Sequence, residues 1–84
     1  MTKVLCSIYD SKAEYWSLPM CFHSEAQAVR EFGNAVNGND TEYGRHPEDY
    51  TVFALGTFDE STGTIDVFEV PSALAVGIIL VKES

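Results

Sequence analysis

The fold is decided by residues 50–70, which have the sequence YTVFALGTFDESTGTIDVFEV. Both halves of this stretch are rich in β-branched and aromatic residues, which favour strands. Between the halves lies the polar turn 59–63, in which Gly63 suits a positive φ. The pattern predicts a β-hairpin of two strands, 50–58 and 64–70.

The sequence that follows the hairpin predicts a further change of structure. Alternation of apolar and polar residues in 64–70 predicts one mostly buried face. Pro71 is expected to end this strand, because proline has no N–H to donate to a ladder. Residues 72–76 suggest one helical or 3₁₀ turn, and the β-branched run 78–81 predicts a buried final strand.

The N-terminal part of the chain predicts a first pair of strands. Residues 3–9 alternate in polarity as a strand does, and 10–12 have the composition of a turn. Residues 15–19 are extended and aromatic, but Pro19 makes them an edge strand or an irregular lead-in. Residues 20–23 are expected to form a second strand in a hairpin-like pair with the first.

The best local signals for a helix lie in residues 24–37. Ser24 is a suitable N-cap, and Gln27 stands three residues later, as in a capping box. An apolar stripe at helical spacing follows, and Asn37 with Gly38 supplies the stop. Gly33 lies inside the helix, where it weakens helicity, and is expected to let the helix approach a sheet closely.

These elements predict an α+β fold: a four- or five-stranded, mainly antiparallel sheet with one helix, 24–37, packed across a face. The polar residues 38–49 are predicted to form the longest loop. The length of 84 residues predicts a single domain, 1–84. Because so small a core is marginal, we expect a homo-oligomer, a dimer or larger.

Composition argues against several classes of function. Asp and Glu number 13 against 5 Lys and Arg, for a net charge of -8 and a pI near 4.4. This balance argues against a basic grip on nucleic acid. The longest apolar run, 73–81, is too short to span a membrane, so we expect a soluble protein. Cys6 and Cys21 form no Cys-x-x-Cys motif, which favours reduced thiols inside a cell.

Residues capable of chemistry are too scattered to predict a catalytic or metal site. Cys6, Cys21, His23 and His46 lack the short ligand spacing of zinc sites. A nucleophilic Cys21–His23 pair is disfavoured, because strand neighbours two apart seldom align for proton transfer. We therefore expect a protein that needs no metal or other cofactor and is not an enzyme.

Aromatic and basic residues supply the candidates for binding. If the aromatic side chains near the N-terminus are exposed, they could stack on single-stranded bases. The alternative interpretation is that they lie in the core or in an oligomer interface. Three of the five basic residues, Lys3, Lys12 and Lys82, would cluster if the two termini lie on adjacent strands. The candidates for contact with nucleic acid or a partner are Lys3, Tyr9, Lys12, Tyr15, Trp16, Arg45, His46 and Lys82.

Four segments together resemble a known viral family. They are SIYDSKA (7–13), HPEDYTVF (46–53), LGTFD (55–59) and VPSALAVG (70–77). Their order and spacing are similar to those of the small non-structural protein of gokushoviruses, which are single-stranded DNA microviruses of bacteria. The resemblance covers nearly the whole chain.

The resemblance implies a DNA-binding or single-stranded DNA synthesis protein. That family is likened to the C protein of bullaviruses, which helps to switch replication from duplex copying to single-strand synthesis and packaging. The resemblance implies a place in the host bacterial cytoplasm and not in the virion, and it brings no catalytic motif. It suggests a site in the 10–12 turn and in 46–50, where the alternative is that Asp10 and Asp49 only cap turns.

Two functional hypotheses follow. The first is a non-enzymatic phage protein that assists genome replication by binding the replication complex, single-stranded DNA, or both. Its acidity favours a protein partner, such as the viral replication initiator or another basic protein. The second is an acidic interaction protein or DNA mimic, which would occupy a basic site on a host or viral protein.

Overall fold

A computed structural model describes residues 1–38 and 40–82. Five strands, two α-helices and two 3₁₀ turns make up the described chain. In chain order these elements are β1 (Thr2–Asp10), β2 (Tyr15–Trp16), β3 (Met20–Phe22), α1 (Glu25–Val36), α2 (Glu42–Arg45), a 3₁₀ turn (Pro47–Asp49), β4 (Tyr50–Asp59), β5 (Thr64–Val76) and a second 3₁₀ turn (Gly77–Leu80).

The strands form one antiparallel sheet in the order β2-β1-β4-β5, and β3 also pairs with β1. Helix α1 packs against one face of this sheet, which confirms the predicted α+β class. The shared core consists of apolar side chains from both layers: Val4, Cys6, Ala28, Phe32, Val36, Val52, Ala54 and Ala75. No described helix is long and apolar enough to cross the hydrocarbon layer of a membrane.

Strand β1 lies in the middle of the sheet and fixes which side chains share a face. Val4 and Cys6 are buried against α1, so their strand neighbours Leu5 and Tyr9 lie on the opposite face. The ladder between β1 and β4 slips by one residue at Leu55, since Leu5 pairs with Gly56 and Cys6 pairs with Ala54. The predicted strand 3–9 is confirmed.

Helix α1 begins where the sequence predicts. The Ser24 Oγ accepts a hydrogen bond from the Gln27 N–H at 3.1 Å. The Gln27 Oε1 accepts from the His23 N–H at 2.6 Å, one residue before the usual capping-box donor. Gly33 does not approach the sheet as expected, because its neighbours within 4 Å are two atoms of Leu80, each 4.0 Å from an ideal Cβ.

The predicted loop 38–49 is wrong in part, because it contains α2 and the first 3₁₀ turn. The Thr41 Oγ1 caps α2 by accepting from the Gly44 N–H at 3.0 Å and donates to the Ala35 carbonyl at 2.6 Å. Pro47 supplies the first position of the 3₁₀ turn and is buried. Helix α2 packs against α1, and the 3₁₀ turn packs against α2, β5 and the second 3₁₀ turn, and local sequence does not reveal these contacts.

Strand β5 does not stop at Pro71, as was expected, but continues to Val76. The register explains this, because Val67 pairs with Gly56 whereas Ser72 pairs with Ala54. Four residues of β5 therefore lie opposite the single Leu55, and Pro71 falls in this irregular stretch of an edge strand. Bulges and edges are the places where a sheet tolerates proline.

Two further expectations for the C-terminal region are wrong. Residues 72–76 belong to β5 instead of forming a helical turn, and Gly77–Leu80 is a 3₁₀ turn instead of a buried strand. Ile79 is 69% exposed. The Asn37 side chain ties this turn to the end of α1, since its Nδ2 donates to the Leu80 carbonyl at 2.9 Å.

The predicted buried face of 64–70 is also wrong. All residues from Thr64 to Ala73 are exposed, including Val67 at 74% and Val70 at 72%. Helix α1 covers the other end of the sheet, so this part of the hairpin has no layer packed on it within the described residues. The hairpin itself and its turn, with Gly63 at φ 75, are confirmed.

Candidate functional site

The two segments suggested as a site meet at one end of the sheet. The Ser11 N–H and Oγ both donate to the Asp49 carbonyl, at 2.9 and 3.1 Å. The Asp10 Oδ1 accepts from the N–H groups of Lys12 and Ala13, at 2.9 and 3.1 Å. Asp10 therefore caps a turn, and the Asp49 backbone holds that turn against the start of β4. Both contacts are structural.

A row of aromatic rings joins this end of the sheet to the core. The Tyr43 ring lies 5.8 Å from Phe32 and 4.8 Å from Tyr50, both edge to face. Burial, and then the nearby Asp10 carboxylate, raise the pKa of the Tyr50 phenol. Burial is also the main cause that raises the pKa of Tyr43. Both phenols thus stay protonated at neutral pH.

The face of the sheet opposite α1 carries a cluster of three aromatic side chains. Tyr9 pairs with Trp16 across β1 and β2, with ring centroids 4.8 Å apart. Phe53 on β4 lies 4.9 Å from Trp16 and 6.5 Å from Tyr9. Trp16 is 42% exposed. We call these three residues the aromatic trio.

The apolar surface continues from the aromatic trio toward the hairpin. The register places Phe58 beside Ile65, and Leu5 in line with Gly56 and Val67. By strand alternation these side chains lie on the same side as the trio. We call this surface the open face; its members are Leu5, Tyr9, Trp16, Phe53, Phe58, Ile65 and Val67.

The basic residues do not gather beside the aromatic trio. Lys3 lies near the start of β1, and Lys12 lies just after its end. At the rise of an extended strand, Lys3 and Asp10 are about 23 Å apart. The Lys3 Nζ lies 3.2 Å from Glu60 Oε1 and 2.9 Å from His23 Nδ1. The expected lysine cluster is therefore wrong, because β1 separates two of its members.

Arg45 is also paired with acids. Its guanidinium lies 2.8 Å from Glu42 Oε1 and 3.3 Å from Asp40 Oδ1. Lys82 follows the second 3₁₀ turn, and its N–H donates to Asn37 Oδ1 at 2.8 Å. Two of the candidate cations thus have carboxylate neighbours, and the described residues show no basic patch around the aromatic trio.

Nearly all of this architecture is matched by one family model, described as phage ORF5 protein, which covers residues 3–80. The chain belongs to the phage ORF5 protein family. The match begins in β1 and ends with the second 3₁₀ turn, so it includes the open face, the 10–12 turn and residues 46–50. Comparison with curated proteins finds no match, and comparison with solved structures finds none either.

In this phage ORF5 family member, an apolar cleft of about 490 Å³ lies between α1 and the β3 edge. Cys6, Phe22, Glu31 and Phe32 are among its lining residues. Burial, followed by the nearby Glu25 carboxylate, raises the pKa of the Cys6 thiol to about 11. The thiol is therefore protonated at neutral pH, and histidine is absent from the described lining. The cleft lacks an activated nucleophile.

The motif segment 46–50 holds one arrangement that the sequence analysis missed. The side-chain ligand atoms of His46, Glu48 and Asp49 lie within 4.8 Å of one another. The 3₁₀ turn that begins at Pro47 brings them together, and this arrangement contains none of the closely spaced Cys and His pairs that are typical of zinc sites. His46 and Glu48 are exposed, and no second feature marks a cation site there, so we assign none.

Two further aromatic side chains of the N-terminal segment lie on the side of the sheet that faces α1. Tyr15 in β2 is 61% exposed and pairs with Asp10 of β1, on the side away from Trp16. Phe22 is half-buried against the core. Phe53 was not among the sequence candidates; its signal was its alternation with the buried Val52 and Ala54, which places it on the outer face.

Proposed function

We propose that this phage protein is the gokushovirus-type small non-structural protein and works without catalysis in the host bacterial cytoplasm. Its role is to assist viral genome replication, at the switch to single-stranded DNA synthesis, by docking onto a basic protein of the replication complex. The replication initiator is the first partner to test. The observation that supports docking is the open face with its aromatic trio.

The open face has the composition of a protein-binding surface. Exposed tryptophan and tyrosine are enriched at binding hot spots, where a large rigid ring fills a pocket on the partner. Trp16 is braced by Tyr9 and Phe53 at less than 7 Å, so little side-chain entropy remains to be lost on binding. Exposed Ile65 and Val67 extend this apolar area along the hairpin.

Charge supports a basic partner. The chain carries -8, and two of its five basic residues already have acidic neighbours. Such a field attracts positively charged proteins and speeds their encounter, and salt weakens it. A protein that handles DNA presents basic surfaces of this kind.

A role without catalysis is supported by the state of the reactive groups. The Cys6 thiol is held protonated by burial, and Cys21 is exposed on a short edge strand. Asp10 is engaged as a turn cap. The described residues bring no histidine, thiol and acid together in the cleft.

Single-stranded DNA is the second candidate ligand, and the aromatic trio is the observation that favours it. Rings on the outer face of a sheet stack on unpaired bases, at about 1–3 kcal/mol per base. Against it, backbone contacts need clustered lysine and arginine near the rings. Lys3 and Arg45 lie beside carboxylates, and Lys12, in the turn between β1 and β2, is a single charge.

The test of the proposal is calorimetric titration of the full chain with the phage replication initiator. We expect binding that Trp16→Ala weakens by at least about tenfold, the effect of losing a hot-spot aromatic. Tyr15→Ala is the matched control, since it removes an exposed ring from the other face and should change affinity less than about twofold. Absence of initiator binding, or equal losses in both variants, would contradict the proposal.

Fluorescence anisotropy with labelled single-stranded DNA decides between the two ligands. We expect no binding at physiological salt with about 50 µM protein, because the charge repels phosphates. Tight binding that Trp16→Ala abolishes would replace the protein partner by DNA. Capture of host nucleic-acid enzymes that added DNA displaces, without initiator binding, would instead favour the DNA-mimic hypothesis.

A further inference from the structure

Strand β5 presents a long backbone edge that the described residues leave unpaired. It is the last strand in the order β2-β1-β4-β5 and contains 13 residues. An antiparallel partner on one side uses only half of a strand's N–H and C=O groups, so the other half point outward. Because Thr64 to Ala73 are all exposed, these groups are open to another chain.

The hairpin that carries this edge has acidic residues both at its turn and along β5. Asp59 and Glu60 lie at its turn, and Asp66 and Glu69 lie on β5 itself. The sequence has no lysine or arginine between Arg45 and Lys82. An incoming strand would therefore meet carboxylates and no cations along β5, which favours a basic segment.

Apolar side chains flank these acids on β5. Ile65 and Val67 are 53% and 74% exposed, and Asp66 lies between them. On the open face they continue the surface of the aromatic trio. A strand added to β5 would extend that surface sideways, so one partner would contact both the edge and the trio.

We infer that a partner adds a strand to the outer edge of β5, using an extended segment that combines basic residues with apolar or β-branched ones and carries a basic residue on each face. This deepens the proposed function, on which the identity of the basic partner rests. Backbone hydrogen bonds supply the pairing, and Asp66 and Glu69 select the basic side chains.

A second copy of this chain fits the edge less well. Antiparallel pairing of β5 with itself would bring two acidic strands side by side, with no lysine or arginine on either strand to pair with Asp66 and Glu69. Two chains of charge -8 would also repel each other.

The test is an NMR titration of the ¹⁵N-labelled full chain with a synthetic octapeptide of valine, threonine and two lysines placed three residues apart, so that one lysine lies on each face of the added strand. We expect shifts and slowed amide exchange confined to residues 64–70 and the neighbouring open face. The same peptide with a central proline should bind at least about tenfold more weakly, because it cannot complete the ladder.

A pair of matched variants tests the charge selection. Asp66→Lys with Glu69→Lys should weaken binding of the lysine peptide by at least about tenfold, because two attractive contacts become repulsive. Glu14→Lys with Glu48→Lys makes the same change of net charge at exposed sites off the hairpin and should cost less than about threefold. All four residues are exposed, and circular dichroism verifies folding.

Three results would overturn the inference. The first is chemical-shift changes confined to α1 or the cleft. The second is that the proline peptide binds as tightly as the original peptide. The third is slowed amide exchange in 64–70 that increases with protein concentration in the absence of peptide, which would mean that β5 pairs with a second copy. If the peptide pairs with β5 but the initiator does not bind, the inference about the β5 edge stands and the proposed function is refuted. Initiator binding that leaves 64–70 unprotected would refute the edge alone.

Discussion

Replacement of Gly56 by alanine tests the packing of the hairpin that carries the open face. Gly56 lies where both ladders of β4 slip, paired with Leu5 on one side and Val67 on the other. An added Cβ would overlap the carbonyl oxygen of Asp66 and lie 3.0 Å from the Val67 Cα. These atoms are backbone, so the strand itself must move to make room.

The size of the effect follows from that overlap. Overpacking that moves backbone costs about 3 kcal/mol, a large part of the stability of a domain this small. At roughly 4–8 °C per kcal/mol, the melting temperature of Gly56→Ala should fall by about 12–24 °C. Exposed amides of 64–70 should also lose their pairing with β4.

The control is Gly33→Ala, which adds the same methyl group within α1. Its Cβ would lie 4.0 Å from Leu80, an ordinary contact, so the gain in helix propensity should raise stability by about 0.5–1 kcal/mol. Thermal unfolding followed by circular dichroism measures both variants. A melting temperature of Gly56→Ala within about 2 °C of wild type would refute the close approach of β5 to β4.

Three smaller predictions use the same measurements. Ser24→Ala should destabilise the protein by about 1 kcal/mol in urea titration, because the Gln27 N–H loses its cap; an unchanged midpoint would contradict the capping bond. Iodoacetamide should modify Cys21 in the folded state and Cys6 only after unfolding, since Cys6 is buried and protonated; mass mapping that finds Cys6 modified first would reverse this assignment. The free energy of unfolding should fall as pH rises from about 9 to about 11, because the unfolded Cys6 thiol ionises in this range while the folded thiol keeps its proton. Cys6→Ala should reduce this dependence of the free energy of unfolding on pH. An identical dependence in that variant would show that the thiol does not cause it.

Local sequence signals predicted the elements that local interactions determine. The Ser24 cap and the apolar stripe predicted α1, alternation predicted β1, and β-branched and aromatic composition predicted β4, because these patterns act over one or two turns or along one strand. The C-terminal elements failed for a non-local reason. Pro71 is tolerated because β5 is an edge strand with a bulge opposite Leu55, and neither feature is visible in residues 70–76 alone.

The exposed hairpin shows a second limit of local patterns. The apolar residues of 64–70 predicted burial, but α1 is too short and too far along the sheet to cover them. An alternating pattern reports that a strand has one apolar face and does not say whether a layer of the same chain covers it. Ile65 and Val67 are therefore exposed apolar residues, which supports the proposed contact with another molecule.

The candidate site was predicted in part for the same reason. Tyr9 and Trp16 were chosen as exposed aromatics, and the structure brings them together with Phe53, which only the β1–β4 register reveals. Lys3 was grouped with Lys12 and Lys82, but β1 holds Lys3 and Lys12 at opposite ends. Binding of a protein partner by the aromatic trio stays a prediction, as does binding of single-stranded DNA.

The most direct test of docking through the open face is chemical-shift mapping of the ¹⁵N-labelled chain on addition of the unlabelled phage replication initiator at physiological salt. The account predicts changes at the indole N–H of Trp16 and at the amides of Phe53 and 64–70, with α1 unchanged. Changes confined to α1 and the cleft, or a spectrum that the initiator leaves unaltered, would contradict it.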